Sequence, residues 1–276
     1  MSKLVSILLP THNGADRIKE AMASVFGQFY DYWELLVLDD GSVDDTKQIV
    51  ESLAKDDSRV KYIKNETNLG IQKALNKGLR EAKGEYIARI DDDDVWIDKD
   101  KLKKQVEFLD KNKDYVLIGT GVIVIDENKK ELFRYLPPQE DNEIRNKILY
   151  KNCFTHSSVL FRKNVAFEFG GYSEDPNVKH IEDYDLWLKL GTMGKFANLR
   201  TYSIVFTQRG GAISAKNRVV QAKRSLYVIK KFKNKYPRFF RGYFITLIKL
   251  WFFAARKMIP ISEKMLSKFK AQYKEF

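Results

Sequence analysis

An α/β fold on a mainly parallel sheet is predicted by three observations in the amino-acid sequence. Short, unbroken apolar runs alternate with helix-period runs as far as residue 90. The apolar runs lack the in-out alternation of a half-solvated strand, so both sheet faces should be covered. The residues just after each run are polar or acidic, as expected where strands end at a ligand crevice.

Residues 4–9 (LVSILL) are the first buried strand. Residues 15–28 follow as a helix, with Ile18, Met22, Val25 and Phe26 at helical spacing. Residues 35–38 are a second strand and 44–54 a second helix, with Ile49, Val50 and Leu53 on one side. A third strand at 60–63, a third helix at 71–82 and a fourth strand at 86–90 (YIARI) complete the alternation. Such spacing predicts right-handed βαβ units. Further on, 101–111 reads as helix and 116–125 as a strand pair or one long strand. Pro137-Pro138 marks a turn, 142–150 a helix, 157–162 a strand and Gly170-Gly171 a break. Residues 182–190 are helix-like and 203–207 strand-like.

The strand ends carry Pro10-Thr11-His12-Asn13, Asp39-Asp40-Gly41-Ser42, residues 65–70 and the run Asp91-Asp92-Asp93-Asp94. Four adjacent carboxylates repel one another, and a cation among them would rationalise the run. Mg2+ is often held by one or two carboxylates together with substrate phosphates. A metal–diphosphate site is therefore the arrangement to look for.

The chain's 276 residues, 44% of them hydrophobic and 13% aromatic, suffice for a substantial core. Cys153 is the single cysteine, which excludes an internal disulfide and any multi-cysteine zinc site. Strand-like sequence begins at Leu4 with no charged-then-apolar leader, so a cytoplasmic protein is expected. The net charge of +12 is unevenly spread. Residues 216–276 hold 17 Lys and Arg against Glu263 and Glu275, a balance of +15. Residues 1–215 hold 32 basic and 35 acidic residues, a balance of −3. Two segments with different roles are implied, a unit over 1–215 and a basic tail over 216–276.

Five segments occur in order: VSILLPTHN, LLVLDDGSVDDT, NLGIQKALNKG, YIARIDDDDV and HIEDYDLWLKL. Together they resemble family 2 of the inverting glycosyltransferases, of bacterial polysaccharide type, with the nucleotide-diphospho-sugar transferase (GT-A) fold. The resemblance runs from Val5 to about Ser214. It implies a nucleotide-sugar-binding half over 1–115 and an acceptor-side half over 116–215. Pro10, Thr11, His12, Asn13 and Asp40 would then line the nucleoside, Asp40 reaching base or ribose; ordinary turn chemistry is the competing reading. Asn68 precedes a helix whose first amides suit an anion. Lys73 is the candidate basic residue on that helix, against the plainer reading of a solvated lysine.

The family's Asp-x-Asp pattern falls on Asp91 and Asp93. Asp93 becomes the expected ligand for Mn2+ or Mg2+, Asp91 or Asp92 turns towards ribose or diphosphate, and Asp94 caps the following helix. Of the pair Glu182-Asp183, the second is the implied general base; Glu182 and Asp185 are structural or acceptor contacts. His156 matches an acceptor-side position, against the reading of a satisfied structural histidine. Thr207 and Arg209 stand where many relatives carry Arg-x-His, which leaves Arg209 as a phosphate-neutralising cation rather than a support for metal ligation. The implied activity is metal-dependent transfer of a hexose or N-acetylhexosamine from a nucleotide donor, a UDP-sugar favoured, to a glycan or lipid-linked acceptor. A nucleotidyltransferase would want a basic glycine-rich loop that residues 10–14 lack. A non-catalytic sugar-nucleotide-binding protein is opposed by the presence of Asp91, Asp93 and Asp183 together.

The tail reads as helices, with Val219, Leu226, Ile229 and Phe232 on one side. Its longest apolar stretch, 243–255, is 13 residues and contains Lys249, short of the roughly 20 a membrane span requires. Aromatic residues flanked by Lys and Arg suit a helix lying on an anionic membrane, which would place the protein peripherally on the inner face of the plasma membrane. Packing on the catalytic unit and a homo-oligomer interface are the alternatives. Nucleic acid is not expected, because the rest of the chain is slightly acidic and holds no recognisable binding module.

Overall fold

The computed structural model describes residues 3–208 and 217–258, with side chains of the final helix described to residue 255. The first half follows the expected alternation: β1 (Val5–Thr11), α1 (Ile18–Phe26), β2 (Trp33–Asp39), α2 (Thr46–Ala54), β3 (Val60–Lys64), α3 (Ile71–Glu81) and β4 (Tyr86–Arg89). The second half contains β5 (Val95–Trp96), α4 (Lys101–Lys111), β6 (Tyr115–Ile125), β7 (Glu131–Tyr135), α5 (Asp141–Lys147), β8 (Leu160–Arg162), α6 (Lys163–Glu168), α7 (Glu182–Leu190) and β9 (Lys195–Thr207). Two helices follow, α8 (Arg218–Lys231) and α9 (Phe239–Met258).

Among the described residues the strands form one sheet in the order β3-β2-β1-β4-β8-β6-β9-β5, with β7 on β6. Its first four strands are parallel. β8 runs antiparallel to both β4 and β6, β6 and β9 are parallel, and β5 and β7 pair antiparallel. The sheet is thus parallel from β3 to β4 and mixed beyond β4.

The unbroken apolar runs have the expected cause. In β1, Val5, Ile7 and Leu9 join one core with Met22 and Val25 of α1 and Leu102 and Val106 of α4. Leu8 joins a second core with Leu75 and Leu79 of α3 and Leu186 and Trp187 of α7. β1 therefore buries both sets of alternating side chains. Val228 and Ile229 of α8 belong to the second core, so the start of the basic tail packs directly behind α7.

Some expectations need correction. Of the two readings of residues 116–125, the one long strand holds, but β9 starts at Lys195 rather than 203 because its first half pairs with β6. Ser157 and Ser158 form a turn of 3-10 helix, and the strand begins only at Leu160. Asp94 caps no helix: β5 follows it, pairing Val95 and Trp96 with β9, and Asp100 is the residue before α4.

Candidate active site

Strand register assembles the first side of the candidate site. β1 and β4 pair Leu8 with Arg89, and three residues further on Thr11 stands beside Asp92. Thr11 Oγ1 donates to Asp92 Oδ2 at 2.6 Å, and Arg17 adds a second donor at 3.3 Å. Gly14 makes this possible, since a Cβ there would lie 2.2 Å from Thr11 Oγ1 and 2.5 Å from Asp92 Oδ2.

Pro10 is buried within β1, while His12 and Asn13 are exposed beyond the strand end. His12 Nδ1 lies 2.9 Å from the Asp40 carbonyl oxygen, and Asn13 Oδ1 accepts from Val43 N at 3.0 Å. Asp40 is buried and accepts from Asn65 Nδ2, Leu69 N and Gly70 N at 2.9, 2.9 and 2.7 Å. Backbone amides just before α3, expected to face an external anion, therefore hold the Asp40 carboxylate. Asn68 Oδ1 accepts a further bond from Gly70 N at 3.1 Å, and Lys73 stands exposed on α3.

The four aspartates have four different surroundings. Asp91 is bridged through both oxygens by the guanidinium of Arg89, itself only 1% exposed. Asp92 has Thr11 and Arg17, yet burial raises its pKa. Asp93 is half-buried, and its charge is felt by Arg17 and by Asp94. Asp94 is buried, accepts from Ser157 Oγ, and is pushed well above the usual carboxylate range by burial and then by Asp91 and Asp93. Ser157 is placed by register. β4 and β8 pair Ala88 with Leu160, so three residues on it faces Asp91, whose amide donates to Ser157 Oγ at 2.9 Å. The cation that the acidic run requires is thus partly resident, as Arg89 and Arg17.

α7 supplies the other side. Asp183, in its first turn, is half-buried and accepts from Asn152 Nδ2 at 2.9 Å. Burial raises its pKa, while the Tyr184 amide, Asn152 and Arg89 oppose the rise. Glu182 is 7% exposed, and its Oε2 has no hydrogen-bond partner among the described residues. Burial, and next the charge of Asp183, lift its carboxyl to about 7. Arg89 therefore acts on both groups, through direct contact with Asp91 and through its charge on Glu182 and Asp183.

Asp185 is fully buried, with Lys189 Nζ 2.7 Å from Oδ2 but off the line of a hydrogen bond, and Lys231 of α8 at 3.9 Å from Oδ1. Of the two roles expected for it, the surroundings are those of a structural ion pair behind the site. His156 Nε2 lies 2.9 Å from Tyr172 Oη, and its ring meets Trp187 edge-on. Burial, then Arg89, holds its pKa well below the ordinary value, so the ring stays neutral. Arg209 lies outside the described residues; Thr207 ends β9.

Arg89, Ser157, Asn152 and Tyr172 were not singled out by sequence reasoning. Only Arg89 leaves a signal, as a charge inside the apolar run YIARI. A cleft of about 590 Å³ lined by Lys83, Glu85, Lys113, Arg162 and Lys163 lies at the opposite end of β4. Its strongest cation is already used, since Arg162 donates to the carbonyls of Tyr115 and Leu109.

A sheet of this order, with acids at its strand ends facing a second acidic helix start, defines a GT-A glycosyltransferase fold. Mannosyltransferase PcManGT from Pyrobaculum calidifontis, solved with GDP-Man and Mn2+, superposes with a TM-score of 0.65 over 99% of this chain and 81% of that one, at 19% identity. S. aureus TarS 1-349 with UDP-GlcNAc gives 0.67 over 89% and 71%, at 20% identity. Residues 6–172 match the model of Glycosyl transferase family 2, and the chain belongs to that family. Among its relatives, WfgD of Escherichia coli is 37% identical over 188 residues, 68% of this chain and 69% of that protein. EpsE of Bacillus subtilis (strain 168) is 36% identical over 186 residues; the match spans 67% of this chain and 66% of that protein. The amylovoran biosynthesis glycosyltransferase AmsE of Erwinia amylovora is 28% identical over 253 residues, covering 89% and 92%.

Proposed function

We propose that this chain moves one sugar from a nucleoside-diphosphate donor to an acceptor hydroxyl with inversion, and that Asp183 is the general base. One observation carries the reading: the buried guanidinium of Arg89 bridges Asp91 at the end of β4, and its charge also acts on Glu182 and Asp183 at the start of α7. Asp183 is accessible enough to meet an acceptor hydroxyl, whereas Glu182 is almost wholly enclosed. A base must reach the proton it removes, so Asp183 takes the role and Glu182 stays behind it. Asp91 and Asp92 hold the donor side, beside the exposed His12 and Asn13.

The described residues gather no three acidic, histidine or cysteine side chains fit to cage a metal by themselves. Asp93, half-exposed beside Asp91, suits the alternative in which Mn2+ or Mg2+ is held by one or two carboxylates and the donor's own phosphates. Bound there, the ion supplies Lewis-acid stabilisation of the departing diphosphate. The name of WfgD specifies UDP-Glc and a GlcNAc-diphosphoundecaprenol acceptor. That precedent supports a UDP-sugar donor and a lipid-linked glycan acceptor here, in polysaccharide assembly. The charge of segment 216–276 supports a peripheral site on the inner face of the plasma membrane.

Asp183→Asn should lower transfer by about 10²–10⁴-fold while leaving the thermal shift induced by nucleotide sugars unchanged. Asp93→Ala should remove the Mn2+-dependent part of that shift. Equal transfer rates in the parent and both variants would end the catalytic reading.

A further inference from the structure

α9 carries large apolar side chains on the face turned away from the domain as well as on the face that packs, where Phe239 meets the second core. Three of its inward positions are small or polar. A Cβ on Gly242 would come within 2.8 Å of Leu149 Cβ, Thr246 is buried, and Lys249 Nζ donates to the Tyr150 carbonyl at 2.7 Å. Its outward positions are large and apolar: Phe240, Phe244, Ile248 and Trp251 are 74, 60, 58 and 72% exposed. At 3.6 residues per turn these four fall within about 80° of arc, with Gly242, Thr246 and Lys249 on the other side. A continuous apolar stripe turned outward marks an interaction surface. Among the described residues no helix is long and apolar enough to cross a membrane.

Charge selects the occupant. Residues 217–258 carry 12 Lys and Arg and no Asp or Glu. Lys233, Lys235, Arg238 and Arg241, beside the start of the stripe, are all exposed. A second copy of the chain would bring one such cationic surface against another. An anionic bilayer satisfies both features, taking apolar anchors into its interface and basic side chains onto its headgroups.

We propose that α9 docks the protein on an anionic lipid bilayer through Phe240, Phe244, Ile248 and Trp251. The seat of the helix gives the docking a direction. Leu149 and Tyr150, on which α9 rests, lead directly to Asn152, the hydrogen-bond donor to Asp183. Docking would therefore set the acceptor side of the site towards the lipid; this last clause rests on the role proposed for Asp183, and the docking does not.

Trp251 is a ready probe, because the other three tryptophans, Trp33, Trp96 and Trp187, are at most 3% exposed. The full chain should sediment with vesicles of phosphatidylcholine and phosphatidylglycerol but not with phosphatidylcholine alone, and its tryptophan emission should shift to the blue. The double variant Phe244→Glu/Ile248→Glu should bind those vesicles at least about tenfold more weakly while keeping the parent's melting temperature and donor-induced thermal shift. Three results would overturn the proposal: no binding to anionic vesicles, equal binding by parent and variant, or a parent dimer in light scattering that the variant lacks. Donor binding is read separately in both proteins, so failure of docking and failure of the catalytic reading are distinguishable.

Discussion

At the end of β4, Asp91 and Asp92 each have an arginine against them, Arg89 and Arg17, and Asp92 has Thr11 as well. At the start of α7, Glu182 and Asp183 have no cation in hydrogen-bond contact among the described residues; Asp183 has the side-chain amide of Asn152 and the backbone amide of Tyr184. Both groups share the field of one buried guanidinium. The difference lies in how closely it approaches. Contact clamps a carboxylate in place, which suits the donor contact proposed for Asp91 and Asp92, although burial still raises the proton affinity of Asp92. Distance leaves a carboxyl unclamped while burial raises its proton affinity, which suits the base role proposed for Asp183.

The strongest way to break this contrast is to remove the shared cation. Arg89→Met should cost about 3 kcal/mol of stability, the low end for a broken buried pair, because the guanidinium is enclosed but the Asp91 side chain is 34% exposed. Urea midpoints of the single variant and of Arg89→Met/Asp91→Asn test the cause: the second change should recover part of the loss. If Arg89→Met unfolds like the parent, the guanidinium is not the hub described.

Next in size is a pH effect at Glu182. Its carboxyl is raised from 4.5 to about 7, so between those values the folded chain holds a proton that the unfolded chain releases. Stability should therefore fall as pH rises through that window, by at most about 3 kcal/mol. Glu182→Gln carries no charge and should flatten the fall, read from urea midpoints at about pH 5 and about pH 8. Parallel profiles for parent and variant would refute the assignment.

The smallest effect sharpens the matched side. Ser157→Ala removes the donor to Asp94 and the acceptor of the Asp91 amide, and should cost about 1–2 kcal/mol. Donor-induced thermal shift should shrink with it, since the acidic run loses its fixed floor. An unchanged shift would mean that the run keeps its geometry without Ser157.

Much of this was legible in the sequence, for physical reasons. The parallel half is readable because strands covered on both faces need unbroken apolar runs, and LVSILL and LLVL have no other economical use. α7 is readable from acids at its start followed by Leu186, Trp187 and Leu190. What escaped depends on contacts distant in sequence. Ser157 reaches Asp91 only through the pairing of β4 with β8, and Asp185 finds Lys231 only once α8 has packed behind α7. Asp94 looked like a helix cap because nothing local announces the two-residue strand that follows it.

The junction of β4 with β8 also limits how such proteins can be recombined. It is the seam where the parallel half meets the reversed one, and the hydrogen bond from the Asp91 amide to Ser157 crosses it. A chimera that joins the parallel strands of one relative to the remaining strands of another should keep the acidic run intact only if that pairing is kept in step. A slip of two residues along β8 would leave the seam without its stitch. What such an exchange must match is the pair of edges, not either part alone.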